Sequence, residues 1–180
     1  MFWRVFKRSS ARATRDDGWW HEAERAADSP DPDAIAGLRA SMNQDASLDE
    51  AEQQEEMMDG LEQLVPLATA AALPAITTQH RVIGSDTCHL ALPATLSAEQ
   101  SVPGKLFLTD RRLVFAGGRA QAWPWHRVRV VTRTDRIVSI VVTGPSDAIQ
   151  LQCNTYGDAV CVRFMIGRLT NRSSGSDPAQ

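Results

Sequence analysis

Between residues 88 and 153 the chain breaks into short apolar and β-branched runs divided by Gly, Pro and Asp, and this punctuation restricts the fold more than any other feature. Residues 88–96 (CHLALPATL), 106–109, 113–116, 120–123, 126–132, 137–143 and 149–153 read as strands, with Pro93 marking a bulge or an edge position. The turn at Asp110-Arg111 suits an Asp that bonds its own backbone two residues on, and Gly117-Gly118 and Gly144-Pro145 break the later runs. Seven short strands at a spacing of roughly 8 to 12 residues predict a mainly β fold, a sandwich or a partly open barrel. One helix should close it. Asn154 or Thr155 is placed to cap that helix, and Ala159, Val162, Met165 or Ile166, and Leu169 form an apolar stripe through YGDAVCVRFMIGRL.

The remainder of the 180 residues is organised by charge. Residues 1–15 carry a net +5, residues 16–62 a net −13 and residues 63–180 a net +5, which together give the chain's −3. Separation on that scale acts on association and on contacts between the blocks. The expected organisation is a basic, aromatic segment over 1–15, an acidic and partly helical arm or linker over 16–76, a β domain over 77–170 and a disordered tail over 171–180. The arm reads either as solvated chain or as a segment that lies against the basic block and competes with its ligand. The longest apolar run, Leu64 to Ile76, has thirteen residues and two prolines, short of the roughly 20 that a membrane-spanning helix needs. Three widely spaced cysteines, Cys88, Cys153 and Cys161, argue against a disulfide framework and for a reducing compartment, so the expected location is cytoplasmic, peripheral at a membrane if the N-terminus anchors.

Within the arm, SPDPD at 29–33 reads as a linker or helix start, and 34–40 as two helical turns. The strongest helix signal is SLDEAEQQEEMMDGLEQLV. Ser47 and Glu50 form a capping box, Leu48, Ala51, Met58, Leu61 and Val65 fall on one stripe, Gly60 weakens the helix and Pro66 should end it. Packing of that stripe on the main domain, or on a second copy through residues 48–65, is the simplest expectation; a partner-recognition helix is the alternative.

The stretch GKLFLTDRRLVF at 104–115, the Trp123-Pro124-Trp125 step, the run RIVSIVV at 136–142 and the closing helix over 158–169 together resemble the pleckstrin-homology (PH) superfold in its GRAM-like or bacterial PH-like form. The resemblance covers about residues 80–170. It implies a seven-stranded, partly open barrel with a C-terminal helix, and a non-enzymatic binding or adaptor module for a protein partner or an anionic membrane surface. The loop SAEQSVPGK departs from phosphoinositide-binding members, since it offers only Lys105 and carries Glu99.

The basic residues gather elsewhere. Arg111 and Arg112 share one turn, while Arg127, Arg129, Arg133 and Arg136 lie along HRVRVVTRTDRIV, where alternation puts Arg127 and Arg129 on one face and Val128 and Val130 toward the core. These six arginines are the candidate ligand-binding residues, and Phe2, Trp3, Arg4, Phe6, Lys7 and Arg8 are the candidate membrane contacts. The alternatives are single-stranded nucleic acid, with Trp123 and Trp125 as a stacking platform beside the arginines, and a purely structural interaction protein. No catalytic residue, metal site or cofactor is expected: Cys88 and His89 are adjacent, so on a strand they point to opposite faces, and no Walker, GxGxxG or metal-ligand spacing occurs.

Overall fold

A computed structural model describes residues 17–42, 46–78, 80–97, 101–144 and 148–174. Seven strands form one antiparallel sheet: β1 (Cys88–Ser97), β2 (Val102–Thr109), β3 (Arg112–Ala116), β4 (Gln121–Pro124), β5 (Val128–Thr134), β6 (Ile137–Val142) and β7 (Ala148–Cys153). Their order is β4-β3-β2-β1-β7-β6-β5, which leaves β4 and β5 as edges and the barrel open. β1 joins the two halves. It pairs with β2 over most of its length but with β7 only from Ala94 to Ser97, so Pro93, which lacks an N–H, falls just outside the doubly paired stretch.

Helix α4 (Tyr156–Ser174) closes the sheet, and Thr155 caps it: Thr155 Oγ1 accepts from the backbone N–H of Asp158 at 2.9 Å. Ala159, Val162, Met165, Ile166 and Leu169 all face the main core, where they meet Leu92, Leu106, Leu108, Phe115, Ile140 and Leu151 from the sheet. This is the PH-like architecture, seven antiparallel strands in an open sheet with a C-terminal helix. α4 runs to Ser174, past the boundary expected at residue 170, and residues 175–180 lie outside those described.

The acidic region forms three helices, α1 (Asp17–Asp28), α2 (Pro32–Ala40) and α3 (Leu48–Thr69). Pro32 occupies the first turn of α2, where its missing N–H costs nothing, and Asp31 caps it by accepting from Ala34 N at 2.9 Å. Ser47 caps α3 through Glu50 N at 3.3 Å. Contrary to the expected stop at Pro66, α3 continues one turn further to Thr69. Its last carbonyls are satisfied from outside: Arg168 on α4 donates to the carbonyls of Leu67 at 2.8 Å, Ala68 at 3.3 Å and Ala70 at 2.9 Å.

These helices make a second core with the flank of α4 that faces away from the sheet. Trp19, Trp20, Ala23, Ala27, Ile35, Leu38, Met57, Met58, Leu61 and Leu64 pack against Tyr156, Val160 and Cys161. Met58 and Leu61 of the expected stripe are thus covered by the chain's own α4 and α1–α2 layer, whereas Leu48 is 84% exposed and stands apart from them. The apolar face that would have supported self-association is occupied within the chain. α3 and α4 cross at two glycines. A Cβ on Gly60 would meet the backbone of Gly157, 2.9 Å from its carbonyl oxygen, and a Cβ on Gly157 would lie 2.6 Å from the carbonyl of Glu56.

Candidate functional site

The structure divides the six candidate arginines into three groups. Arg111 and Arg112 sit at the β2–β3 tip around one carboxylate, Asp86, which is almost fully buried. Arg112 Nε lies 2.7 Å from Asp86 and is a structural staple; Arg111, 3.9 Å from the same group, is mostly exposed. The turn itself is built by Thr109 rather than by Asp110. The fully buried Thr109 hydroxyl accepts from the N–H groups of Arg111 at 3.2 Å and Arg112 at 3.0 Å and donates to the Arg112 carbonyl at 2.8 Å. Asp110 instead ties the tip to the preceding loop, accepting from Thr87 N at 2.9 Å.

Arg133 and Arg136 flank the β5–β6 turn and are engaged by the acidic helices. Arg133 pairs with Glu24 of α1, and its Nη1 donates to the Asp135 carbonyl at 2.8 Å. Arg136 pairs with Glu56 of α3 at 2.9 Å and lies over the Tyr156 ring, 5.1 Å from its centroid. Glu56 also accepts from Tyr156 N at 3.0 Å, so one carboxylate serves a strand turn and the positive end of α4 together.

The third group, Arg127 and Arg129, is exposed and forms no ion pair among the described residues. A break in register between Val128 and Val130 explains why the row divides. The bulge turns Val130 outward, 51% exposed, against the expectation that it faces the core. After it, Val131 and Arg133 share the inward side, and Arg133 is delivered to Glu24.

Arg129 lines a cleft of about 560 Å³ that runs beside the β5 edge, walled by Val128 and Val131 on one side and by Arg163, Phe164, Gly167 and Arg168 of α4 on the other, with Asp28 at the end of α1. Arg163 holds Asp28 in an ion pair. The cleft therefore combines an open strand edge, an unengaged guanidinium and a second guanidinium already bound to a carboxylate. Sequence reasoning missed Arg163 and Arg168; the available signal was their position off the apolar stripe of the closing helix.

The stacking platform is not formed by its two tryptophans. Trp125 is buried, and its indole N–H donates to the Thr109 carbonyl at 2.9 Å, while Trp123 packs half-buried against the core. The candidate membrane contacts Phe2, Trp3, Arg4, Phe6, Lys7 and Arg8 lie outside the described residues. Among those described, no helix is long and apolar enough to cross a membrane, and no group of three or more His, Cys, Asp or Glu side chains is placed to hold a metal.

All three thiols are buried. Burial pushes Cys153 and Cys161 up to about 12, with the nearby Asp158 charge adding to it, and raises Cys88 in the same direction. Iodoacetamide at mildly alkaline pH is therefore expected to leave all three unmodified in the native chain and to alkylate all three in denaturant, measured by intact mass. Rapid labelling of any one in the native state would contradict the burial described.

No family model matches the chain, and no curated protein matches it. Among solved structures it is similar to the DH/PH domains of PDZ-RhoGEF in complex with GTP-γ-S-activated RhoA, at 13% identity and a TM-score of 0.45, covering 85% of this chain and 54% of that one. It is also similar to Inner Membrane Complex Sub-compartment Protein 3 from Toxoplasma gondii, at 9% identity and a TM-score of 0.42, covering 47% of this chain and 77% of that one. The C-terminal domain of an unknown protein from Leishmania infantum matches at 12% identity and a TM-score of 0.39, covering 47% of this chain and 89% of that one. The fold class rests on the chain's own strand order and closing helix.

Proposed function

We propose that the chain is a non-enzymatic binding module of GRAM-like or bacterial PH-like form, and that it engages an acidic, extended segment of a protein partner in the cleft between β5 and α4. The observation that carries this reading is Arg129, exposed on the cleft wall beside Arg163, which already grips the Asp28 carboxylate. An edge strand supplies unpaired backbone groups for a strand-like ligand, and two guanidiniums supply its counter-charges. Of the six candidate arginines, Arg129 bears the contact; Arg127 lies outside the cleft lining with its guanidinium beside Gly144, and Arg133 and Arg136 hold the helices in place. The acidic helices moderate access, since a ligand carboxylate competes with Asp28 for Arg163.

The test uses the full chain and a fluorescent peptide of alternating Glu and Val. Binding is expected to be saturable, to weaken with salt, to fall by roughly tenfold with Arg129→Glu and to strengthen with Asp28→Asn, which releases Arg163. Arg111→Glu, on the β2–β3 tip, is the control and should leave it unchanged. Affinity for the peptide that ignores Arg129→Glu overturns the site. Binding of phosphatidylserine vesicles without binding of the peptide replaces the protein partner by an anionic membrane surface.

A further inference from the structure

On the opposite flank of α4 from the arginine cleft, a pocket of about 500 Å³ opens between the end of α3, the segment that follows it and the start of β1. Pro66, Leu67, Ala70, Pro74, Leu90 and Met165 make its walls. Among the described residues no Asp, Glu, Lys or Arg side chain lines it; the polar groups are the Gln63 amide, the His89 imidazole and the Cys161 thiol. A cavity of this size, mostly apolar with a few polar groups, has the character of a small-ligand site.

Its outer wall is held in place by hydrogen bonds rather than by apolar packing alone. Residues 70–75, AAALPA, contain no polar side chain, and hydrophobic burial by itself would draw such a segment down onto Leu67, Leu90 and Met165. Instead its backbone is pinned at both ends. Arg168 donates to the carbonyls of Leu67, Ala68 and Ala70, and His89 Nδ1 donates to the Pro74 carbonyl at 2.9 Å. Between these clamps only Leu73 reaches the main core. The segment is thus held at one end by the Arg168 bond to the Ala70 carbonyl and at the other by the His89 bond to the Pro74 carbonyl, directed bonds that act against closure and distinguish the space from a packing defect.

We propose that this pocket binds an uncharged aliphatic chain of the kind a neutral single-chain lipid carries. The lining disfavours a buried ionic group, because the described lining residues offer no counter-charge to offset its desolvation. Gln63 and His89 are the groups able to meet a hydroxyl at the end of such a chain. The pocket shares no lining residue with the arginine cleft, Cys161 and Met165 facing this one and Arg163 and Gly167 the other, while Arg168 stands between them, on the wall of the cleft and bonded to the Ala70 carbonyl behind the pocket.

The experiment titrates octanol into the full chain labelled at the methionine methyls and follows them by NMR. The Met165 resonance is expected to shift saturably while Met58, in the core between the helices, stays fixed. Filling the pocket from its exposed rim with Ala72→Trp should weaken the effect by roughly tenfold or more, and Leu90→Trp should do the same from the β1 side. A Met165 shift that never saturates, or that survives Ala72→Trp unchanged, overturns the proposal. N-acetyl-leucinamide is titrated in parallel; if it saturates Met165 and octanol does not, the pocket is a socket for a partner's side chain and the lipid assignment fails.

Discussion

Gly60→Val is expected to lower the melting temperature of the full chain by roughly 5–10 °C, which corresponds to about 1–3 kcal/mol of overpacking in a protein of this size. The cause is the α3–α4 crossing. A side chain at Gly60 meets not a flexible neighbour but the backbone of Gly157, and the two helices can accept it only by separating. Separation also lengthens the Glu56 bonds to Tyr156 N and to Arg136, because Glu56 lies one turn before Gly60 on the same helix. Gly157→Val should cost a similar amount, since its Cβ strikes the Glu56 carbonyl, and the double variant should cost less than the sum because both changes open one contact. Gly37→Ala is the counter-test. That position, in α2, has nothing within 4 Å of an added Cβ, so alanine there should stabilise by about 0.5–1 kcal/mol through helix propensity. Thermal melts of the four variants decide it, and a Gly60→Val melt equal to the parent's would mean that the helices do not cross where described.

The strands were legible because each is bounded by a residue that cannot continue it, and because their β-branched and apolar runs have no helical period. The closing helix was legible for the complementary reason, a stripe whose five residues all reach the main core. Local pattern fails where a single inserted residue resets it. The bulge between Val128 and Val130 cannot be seen in VRVVTRT, yet it sets whether Arg133 meets solvent or Glu24. α1 was legible and missed: Trp19, Trp20, Ala23, Ala26 and Ala27 recur at helical spacing on one face, but after the tryptophans that face is small alanines among charged residues, so the segment reads as polar unless the period is counted. Gly60 is the sharpest case. In sequence it reads as a defect in a helix, and in the fold it is the point of closest approach. The site was half legible: the arginines were visible as a basic row, but which of them are engaged depends on carboxylates far away in sequence, Glu56 being 80 positions from Arg136.

Removing residues 1–76 is expected to destroy cooperative unfolding of what remains, not merely to unmask a basic surface. The fragment 77–180 retains the seven strands and α4, but α4 is packed on two sides, and the deletion bares the side formed by Tyr156, Val160 and Cys161. Arg136 and the α4 N-terminus lose Glu56, and Arg133 loses Glu24, so desolvated polar groups are left without their partners at the same time as an apolar surface is exposed. The fragment should show a broadened melt, bind anilinonaphthalene sulfonate strongly, and have a Cys161 that alkylates where the full chain resists. Supplying residues 17–76 as a separate chain should reverse all three, because that piece carries most of the second core and Tyr156, Val160 and Cys161 of the fragment are the surface it packs on. A fragment that melts as sharply as the full chain and keeps Cys161 protected would show instead that the sheet and α4 form a self-sufficient domain. The outcome also fixes how binding data must be read. If the fragment is loosened as expected, its increased affinity for anions or vesicles reports exposed core as much as freed arginine, and Asp28→Asn in the intact chain becomes the measure of masking, since it releases Arg163 without disturbing either core.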